Sequence, residues 1–493
     1  MTRLPHATHL ERFRSLVGRR LGLQLDGDRA ATLAETLERR VQASRLTPEA
    51  YLDRLEREGP SRDEVRALAQ ETTIGETYFF RNVEQFRALS EITRALPRVR
   101  FLSAGCASGE ETYTLAMVAR EHAVSGVEVS ITGVDVNAAA IAKALRGTYS
   151  AWSLRETPPE ARRRWFGAAG SEFTVAPSLR SAVRFEERNL ADDEPGLWLS
   201  ESYDVVFCRN VLMYLTPEVA RAVVARIGRA LAPGGHLFLG SAENLRGLSH
   251  GFHLRQSHGT FYYQRKGAAA PMSDEPPEPS VTTPGDAEDL DASRWTDLVQ
   301  ASSKRIEELG ERSGELAGRG VARAATFPLD MSRAVELLRT ERFGDALQAL
   351  GDPVGPARDP EALLLRAVLL THCGRLDEAE SVCRQLCLLD DMSAGAYYLL
   401  ALCRERAGDP EGAGEHDRAA AYLDPGFAMP RLHLGLLARR AGDLEGARRQ
   451  IEEARDLLAR EDPSRILLFG GGFTREALAH LCQSELLAIG GSK

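Results

Sequence analysis

Polar residues at the ends of apolar runs mark where this chain could do chemistry. Asp135 ends the alternating run 127–134, Asn189 and Leu190 follow Val183–Phe185, and Arg209 and Asn210 follow Ser202–Cys208. A further run, Val99–Leu102, opens into the small-residue loop Ser103-Ala-Gly-Cys-Ala-Ser-Gly109 and then into Glu110 and Glu111. In an open α/β sheet, ligands sit outside the carboxyl ends of the strands. Such positions together favour a nucleoside. A carboxylate would hold ribose hydroxyls, an amide would read an adenine edge, and small residues would let the ligand approach the backbone. Each position also has a plain structural role open to it: Asp135 as a helix N-cap, Asn189 in a turn, Asn210 in left-handed backbone. Gly105 and Gly109 are not spaced as G-x-G-x-x-G, and no G-x-x-x-x-G-K-[ST] occurs, which argues against an NTPase phosphate loop.

The elements that must position these residues follow from periodicity. Residues 99–265 alternate strand and helix, the pattern of an α/β domain with a mainly parallel sheet. His236–Gly240 reads as a strand after a Pro233-Gly234-Gly235 turn, Phe261–Tyr263 as the closing strand, and 165–180 as a β-hairpin excursion. Ahead of the sheet, Leu10, Phe13, Val17 and Leu21 recur at helical spacing, and Thr47-Pro48 reads as an N-cap with Pro at the first helical position. This segment carries 18 arginines against 15 acidic residues through Arg100. Arg39, Arg40 and Arg45 gather round one helix end, either as a solvated face or as a docking surface for an acidic helix.

The 493 residues suffice for two or three domains, and 43% hydrophobic with 27% charged residues is ordinary for a globular protein. A net charge of −9 argues against general nucleic-acid binding. The seven cysteines form no CxxC pair and read as buried thiols in a reducing compartment; no metal is expected, Cys383 and Cys387 lacking further ligands nearby. With no signal-peptide or membrane-length apolar run, the expectation is a cytoplasmic protein. Residues 267–292 are Pro-rich and acidic, a linker unable to bury a core. From about 330 the chain repeats. Gly374, Gly408 and Gly442 are 34 residues apart, as are Ala379, Ala413 and Ala447, and Phe343-Gly-Asp-Ala346 suggests a degenerate earlier copy. That period resembles tetratricopeptide repeats, which bind peptide or protein partners in a groove.

Four blocks carry a more specific resemblance: Glu71-Thr-Thr-Ile-Gly-Glu-Thr-Tyr-Phe-Phe-Arg81, Ser103–Tyr113, Phe207-Cys-Arg-Asn-Val-Leu-Met-Tyr214 and Leu239-Gly-Ser-Ala-Glu243. In order and spacing over residues 8–265 they resemble the chemotaxis receptor methyltransferases of the CheR type. The resemblance implies a helical subdomain (1–92), a Rossmann-like S-adenosylmethionine-binding α/β domain (93–266) and a β excursion that touches the receptor. The linker (267–292), a helical connector (293–329) and the all-α repeat domain (330–493) would follow. It implies that Gly75, Thr77 and Arg81 line the cofactor cleft, Glu110 contacts the methionine or ribose end, and Asp135 holds the ribose. Asn189 and Leu190 would face the adenine, and Arg209 and Asn210 the rim near the sulfonium. The family often has Asn where this chain has Gly75, so here only backbone can contribute.

The implied reaction is methyl transfer from S-adenosylmethionine to a glutamate of a methyl-accepting receptor, leaving S-adenosylhomocysteine. Such a carboxylate, with a pKa of about 4.3, needs no general base at neutral pH. Arg81 and Tyr214 are the candidates to orient it. Glu110 and Glu111 would repel phosphates but suit a cofactor carrying a sulfonium and an ammonium. The repeats would recruit or regulate. A competing reading is a repeat scaffold whose methyltransferase domain only senses the cofactor.

Overall fold

The computed structural model describes residues 7–25, 30–96, 98–122, 128–267, 331–351 and 359–490. The expected linker and connector lie outside the described residues, apart from Gly267. The chain divides into two compact units, Met1–Met272 and Ser273–Lys493.

In the first unit, α1 (Ala7–Leu21), α2 (Ala30–Ser44), α3 (Pro48–Arg57) and α4 (Arg62–Thr72) form a helical layer. Its apolar stripes meet at Phe13, Val17, Leu37, Tyr51 and Leu52, all buried. Thr47 caps α3 by accepting from Ala50 N at 3.2 Å, with Pro48 in the first turn. The next helix, α5 (Val83–Ala95), belongs instead to the sheet: its Phe86, Ala88 and Leu89 share one core with β1 (Val99–Ala104). The helical layer therefore ends ahead of α5.

Seven strands form the main sheet in the order β6-β2-β1-β7-β8-β10-β9. Here β2 is Val129–Asp135, β6 Val183–Glu187, β7 Tyr203–Cys208, β8 Leu231–Leu239, β9 Phe252–Ser257 and β10 Thr260–Arg265. The pairs β6/β2, β2/β1, β1/β7 and β7/β8 are parallel, while β10 runs antiparallel to both β8 and β9. The chain leaves β1 toward β2 on one side and later returns to β7 on the other. This strand-order reversal opens a crevice at the carboxyl ends of β1 and β7. The helix after β1, α6 (Glu110–His122), is buried from Thr112 through Ala119 and packs against the sheet with Tyr113, Leu115 and Met117 in the common core.

Two local expectations change. Pro233-Gly234-Gly235 does not precede a strand but lies inside β8, where Tyr203 pairs with Leu231 and Val205 with His236. The extra β8 residues bulge there, with Gly234 at φ +74. The excursion near 165–180 is a three-stranded sheet. Hairpin strands β4 (Phe166–Ala169) and β5 (Glu172–Val175) are joined by β3 (Thr148–Ser150), too short to read from periodicity.

The second unit stacks antiparallel helix pairs: Pro360–His372 with Leu376–Leu389, Ala394–Arg406 with Pro410–Leu423, and Ala428–Arg440 with Leu444–Leu458. The repeated residues have repeated jobs. Gly374, Gly408 and Gly442 turn the chain at φ +71, +79 and +82, and Ala379, Ala413 and Ala447 are fully buried where the paired helices meet. The earlier pair, Met331–Arg339 with Phe343–Leu350, puts Glu341 in the left-handed position, at φ 57. No helix among the described residues is long and apolar enough to cross a membrane.

Candidate active site

The loop after β1 is shaped by backbone that few residues adopt. Gly105, Ala107 and Gly109 have φ of 80, 46 and 90. A Cβ on Gly105 would lie 2.4 Å from Val211 Cγ2, and one on Gly109 2.7 Å from Ala144 Cβ, so both glycines also allow close packing. Asp135, at the end of the neighbouring strand, braces this loop. Its Oδ2 accepts from Ala107 N and its Oδ1 from Asn137 N, both at 2.8 Å. Burial raises the Asp135 pKa, and the backbone N–H donors pull against that rise.

A cleft open to solvent runs along these strand ends. It gathers residues distant in sequence. Gly75, Thr77 and Arg81 line it from the segment between α4 and α5, and Asp135 from β2. Asn189 and Leu190 come from the loop after β6, and Arg209, Asn210 and Tyr214 from the loop after β7.

Glu110 is the exception. Its side chain is buried away from the cleft, where it accepts from Ser108 Oγ at 2.7 Å and Ser153 Oγ at 3.2 Å, with Lys143 Nζ at 3.8 Å. Glu111 lines the cleft in its place. The two are adjacent on α6, so their side chains diverge by roughly 100° around the helix, and only one can face the strand ends. Glu111 accepts from Ser103 Oγ at 2.7 Å and Arg209 Nη1 at 3.3 Å. Burial raises its pKa, and Arg209 opposes the rise.

Arg209 ties the floor of the cleft together. Besides Glu111, it donates to the Arg81 carbonyl at 2.7 Å and to Asn82 Oδ1. Burial lowers its pKa. Its buried Nε–H has no acceptor among the described residues. The Arg81 segment is itself held in place: Phe80 and Asn82 sit at φ 59 and 62, and Phe79 is fully buried edge-on against Tyr149 and Phe166. At the outer end of this wall, the Arg155 guanidinium lies between the Tyr78 ring at 3.7 Å and the Trp152 ring at 4.3 Å.

Asn189 is partly committed to structure. Its Nδ2 donates to the Arg20 carbonyl at 3.0 Å and its Oδ1 accepts from Ala191 N at 3.1 Å, tying the helical layer to the sheet. Leu21 and Leu23 of that layer line the cleft beside Leu190, an apolar contribution with no motif to announce it. A β-bridge between Leu23 and Leu215 fastens them there. A Cβ on Gly75 would meet nothing within 4 Å, so its bareness is not required by packing.

Two of the three arginines round the end of α2 are paired. Arg40 forks onto Glu64 at 2.9 and 2.6 Å, and Arg39 reaches Glu71 at 2.8 Å. These pairs lie within the helical layer, with Arg39 half-exposed, and Arg45, exposed past the helix end, is the one of the three without an acidic partner among the described residues.

The arrangement suits a zwitterionic nucleoside. Glu111 offers a buried carboxylate to a cationic group, Asp135 a carboxylate to a diol, Arg81 and Arg209 donors to an anionic group, and Leu21, Leu23 and Leu190 a wall for a flat ring. No cluster of three or more metal-ligating side chains exists among the described residues.

Known methyltransferases resemble this chain. Residues 75–261 match the family model described as CheR methyltransferase, SAM binding domain. The chain is 29% identical over 453 residues to the probable biofilm formation methyltransferase WspC of Pseudomonas aeruginosa, covering 90% of this chain and 98% of the relative. It is 35% identical over 210 residues to chemotaxis protein methyltransferase 1 of the same organism, covering 39% and 75%. Among solved structures, PcrH from Pseudomonas aeruginosa is 27% identical, covering 28% of this chain and 96% of that one with a TM-score of 0.24. The chain thus belongs to the CheR family of methyltransferases, and its cofactor is S-adenosylmethionine.

Proposed function

We propose that this enzyme methylates glutamate side chains of methyl-accepting chemotaxis receptors. The observation that supports this most is that Arg81 and Tyr214 line the same cleft as Glu111, Asp135 and Arg209. S-adenosylmethionine supplies a methyl group activated by its sulfonium. The chain's own residues then have separable tasks. Asp135 accepts from the ribose hydroxyls, and Leu190, with Leu21 and Leu23, covers the adenine. Glu111 takes the ammonium, the role first expected of Glu110. Thr77 and the backbone of Gly75 line the wall, Asn189 sets the loop under the adenine, and Asn210 sits at the rim.

Arg81 and Tyr214 orient the acceptor carboxylate. That group is ionised at neutral pH, with a pKa of about 4.3, so no side chain needs to take a proton from it. Catalysis then rests on alignment, which can supply several kcal/mol, about 7 or more. Arg81 donates to the Glu76 carbonyl at 3.1 Å. This internal bond limits its pull on the acceptor, which would otherwise blunt the nucleophile.

The repeat unit is read as the binding surface for a protein or peptide partner. The likeness spanning nearly the whole chain is to a protein named for biofilm formation, which directs the search for the receptor toward such signalling systems. The test is labelled-methyl transfer to a candidate receptor by the full chain and by residues 1–270. Transfer by both supports the enzymatic reading. A higher Michaelis constant for the receptor in the shorter chain supports recruitment by the repeats. Cofactor binding without transfer by either would favour a scaffold.

A further inference from the structure

The block Leu239-Gly-Ser-Ala-Glu243 has no place in the chemistry above, yet its last residue is built into the site. Glu243 is 5% exposed, and its carboxylate accepts four backbone N–H groups. Oε2 takes Asn210 N at 2.6 Å and Gly240 N at 2.8 Å. Oε1 takes Val211 N at 2.9 Å and Met213 N at 3.2 Å. Three of these donors belong to the loop after β7, which carries Asn210 and Tyr214 into the cleft. The fourth belongs to the turn after β8. One carboxylate thus binds the carboxyl ends of two neighbouring strands with charge-assisted bonds.

That loop needs holding. Asn210 is left-handed, at φ 56, and the chain then tightens into the 3₁₀ turn Leu212–Tyr214. The site is shaped for the carboxylate from the other side too. A Cβ on Gly240 would lie 2.8 Å from both Asn210 Nδ2 and Glu243 Oε2, so a larger residue would push the two apart. Only a carboxylate fits the donor set. Glutamine would replace one oxygen with an NH₂ facing backbone N–H groups, and aspartate is one methylene short.

We infer that Glu243 is a positioning residue for methyl transfer: it sets the Asn210–Tyr214 loop so that the cofactor rim and the acceptor-orienting Tyr214 are in register. The acceptor half of this inference rests on the function proposed above, and the cofactor half does not.

The test uses the full chain, with Glu243→Gln and the milder Gly240→Ala, and measures S-adenosylhomocysteine binding by calorimetry alongside thermal unfolding. In whichever variant retains the wild-type folded signal, the dissociation constant is expected to rise about tenfold. At saturating cofactor, kcat on the receptor is expected to fall about 100-fold, the scale of a small misplacement of reacting groups. A folded variant that is less heat-stable but binds S-adenosylhomocysteine within about twofold of wild type overturns the inference. If wild type itself labels no receptor glutamate, the proposed substrate falls, and the binding measurement still decides the role of Glu243.

Discussion

Arg209 Nη1 and Glu111 Oε2 meet at 3.3 Å in the floor of the cleft, joining the end of β7 to the start of α6 across 98 residues of sequence. The pair is buried and does two things. It gives a desolvated carboxylate a cationic partner, and it anchors the Arg81–Asn82 segment through the remaining Arg209 donors. Glu111 is thereby held facing the cleft.

Exchanging the two adjacent glutamates for glutamine separates their roles. Glu111→Gln should weaken S-adenosylhomocysteine binding by about tenfold or more, the loss of a charge-assisted contact. Glu110→Gln should leave binding within about twofold and lower the melting temperature instead, because Glu110 serves Ser108 and Ser153. Calorimetry and a thermal melt on each variant decide it. Equal losses of affinity would contradict the assignment.

Gly75 offers a gain of function. Its Cβ position is open, so Gly75→Asn places an amide at the cleft wall without a clash. One added hydrogen bond of about 1 kcal/mol should tighten S-adenosylhomocysteine about fivefold. Unchanged or weaker binding would show that the wall does not face the cofactor there.

Much of the lining of this cleft is legible in the sequence. Asp135, Asn189, Arg209 and Asn210 stand out because polar residues after short apolar runs fall at strand ends, and a parallel sheet gathers those ends in one crevice. The choice between Glu110 and Glu111 was not legible, since both lie in the first turn of α6 and only the packing against Ser103 and Arg209 selects one. Leu21 and Leu23 were hidden for a different reason. They enter from a helical layer that docks from far upstream, held by the Leu23–Leu215 bridge. The repeat unit was legible because each Gly and Ala of the period has one strict duty, a left-handed turn or a close helix contact.

The degenerate copy shows the cost of breaking that pattern. Glu341 occupies the left-handed position at φ 57 that glycine fills in the later pairs. Left-handed backbone costs a non-glycine residue roughly 1–2 kcal/mol, partly offset by the greater chain entropy that glycine loses on folding. Glu341→Gly should stabilise the repeat unit by about 0.5–1 kcal/mol, seen as a higher denaturant midpoint. A lower midpoint would contradict this.

The repeat unit should also lose stability in alkali. His433 is buried between Asp417, whose Oδ2 lies 2.6 Å from Nδ1, and Glu405, whose Oε2 lies 2.9 Å from Nε2. Arg440 also contacts Glu405, and the Tyr398 ring stands 6.4 Å from the imidazole. Burial pulls the His433 pKa down, but Asp417 and Glu405 outweigh it and raise it to about 10. A group raised in the folded state stabilises fully below its unfolded pKa, about 6.5, and that contribution disappears as pH rises through the folded value. Glu405, held to about 2, remains ionised throughout this window. Asp417, pushed up to about 6 by burial, has completed its titration before most of the loss. Denaturant unfolding should show stability falling between pH 6.5 and about 10, and His433→Phe should flatten the slope. An unchanged slope in that variant would place the alkaline loss elsewhere.

The most direct measurement of the central claim is transfer of tritiated methyl from S-adenosylmethionine to a cognate receptor by the full chain, followed by alkaline treatment. A glutamate methyl ester hydrolyses to volatile methanol. The expected result is base-labile label on the receptor, abolished when its acceptor glutamates are replaced by alanine and reduced about 100-fold in kcat by Arg81→Ala. Base-stable label, or cofactor binding with no label on any receptor tested, would contradict it.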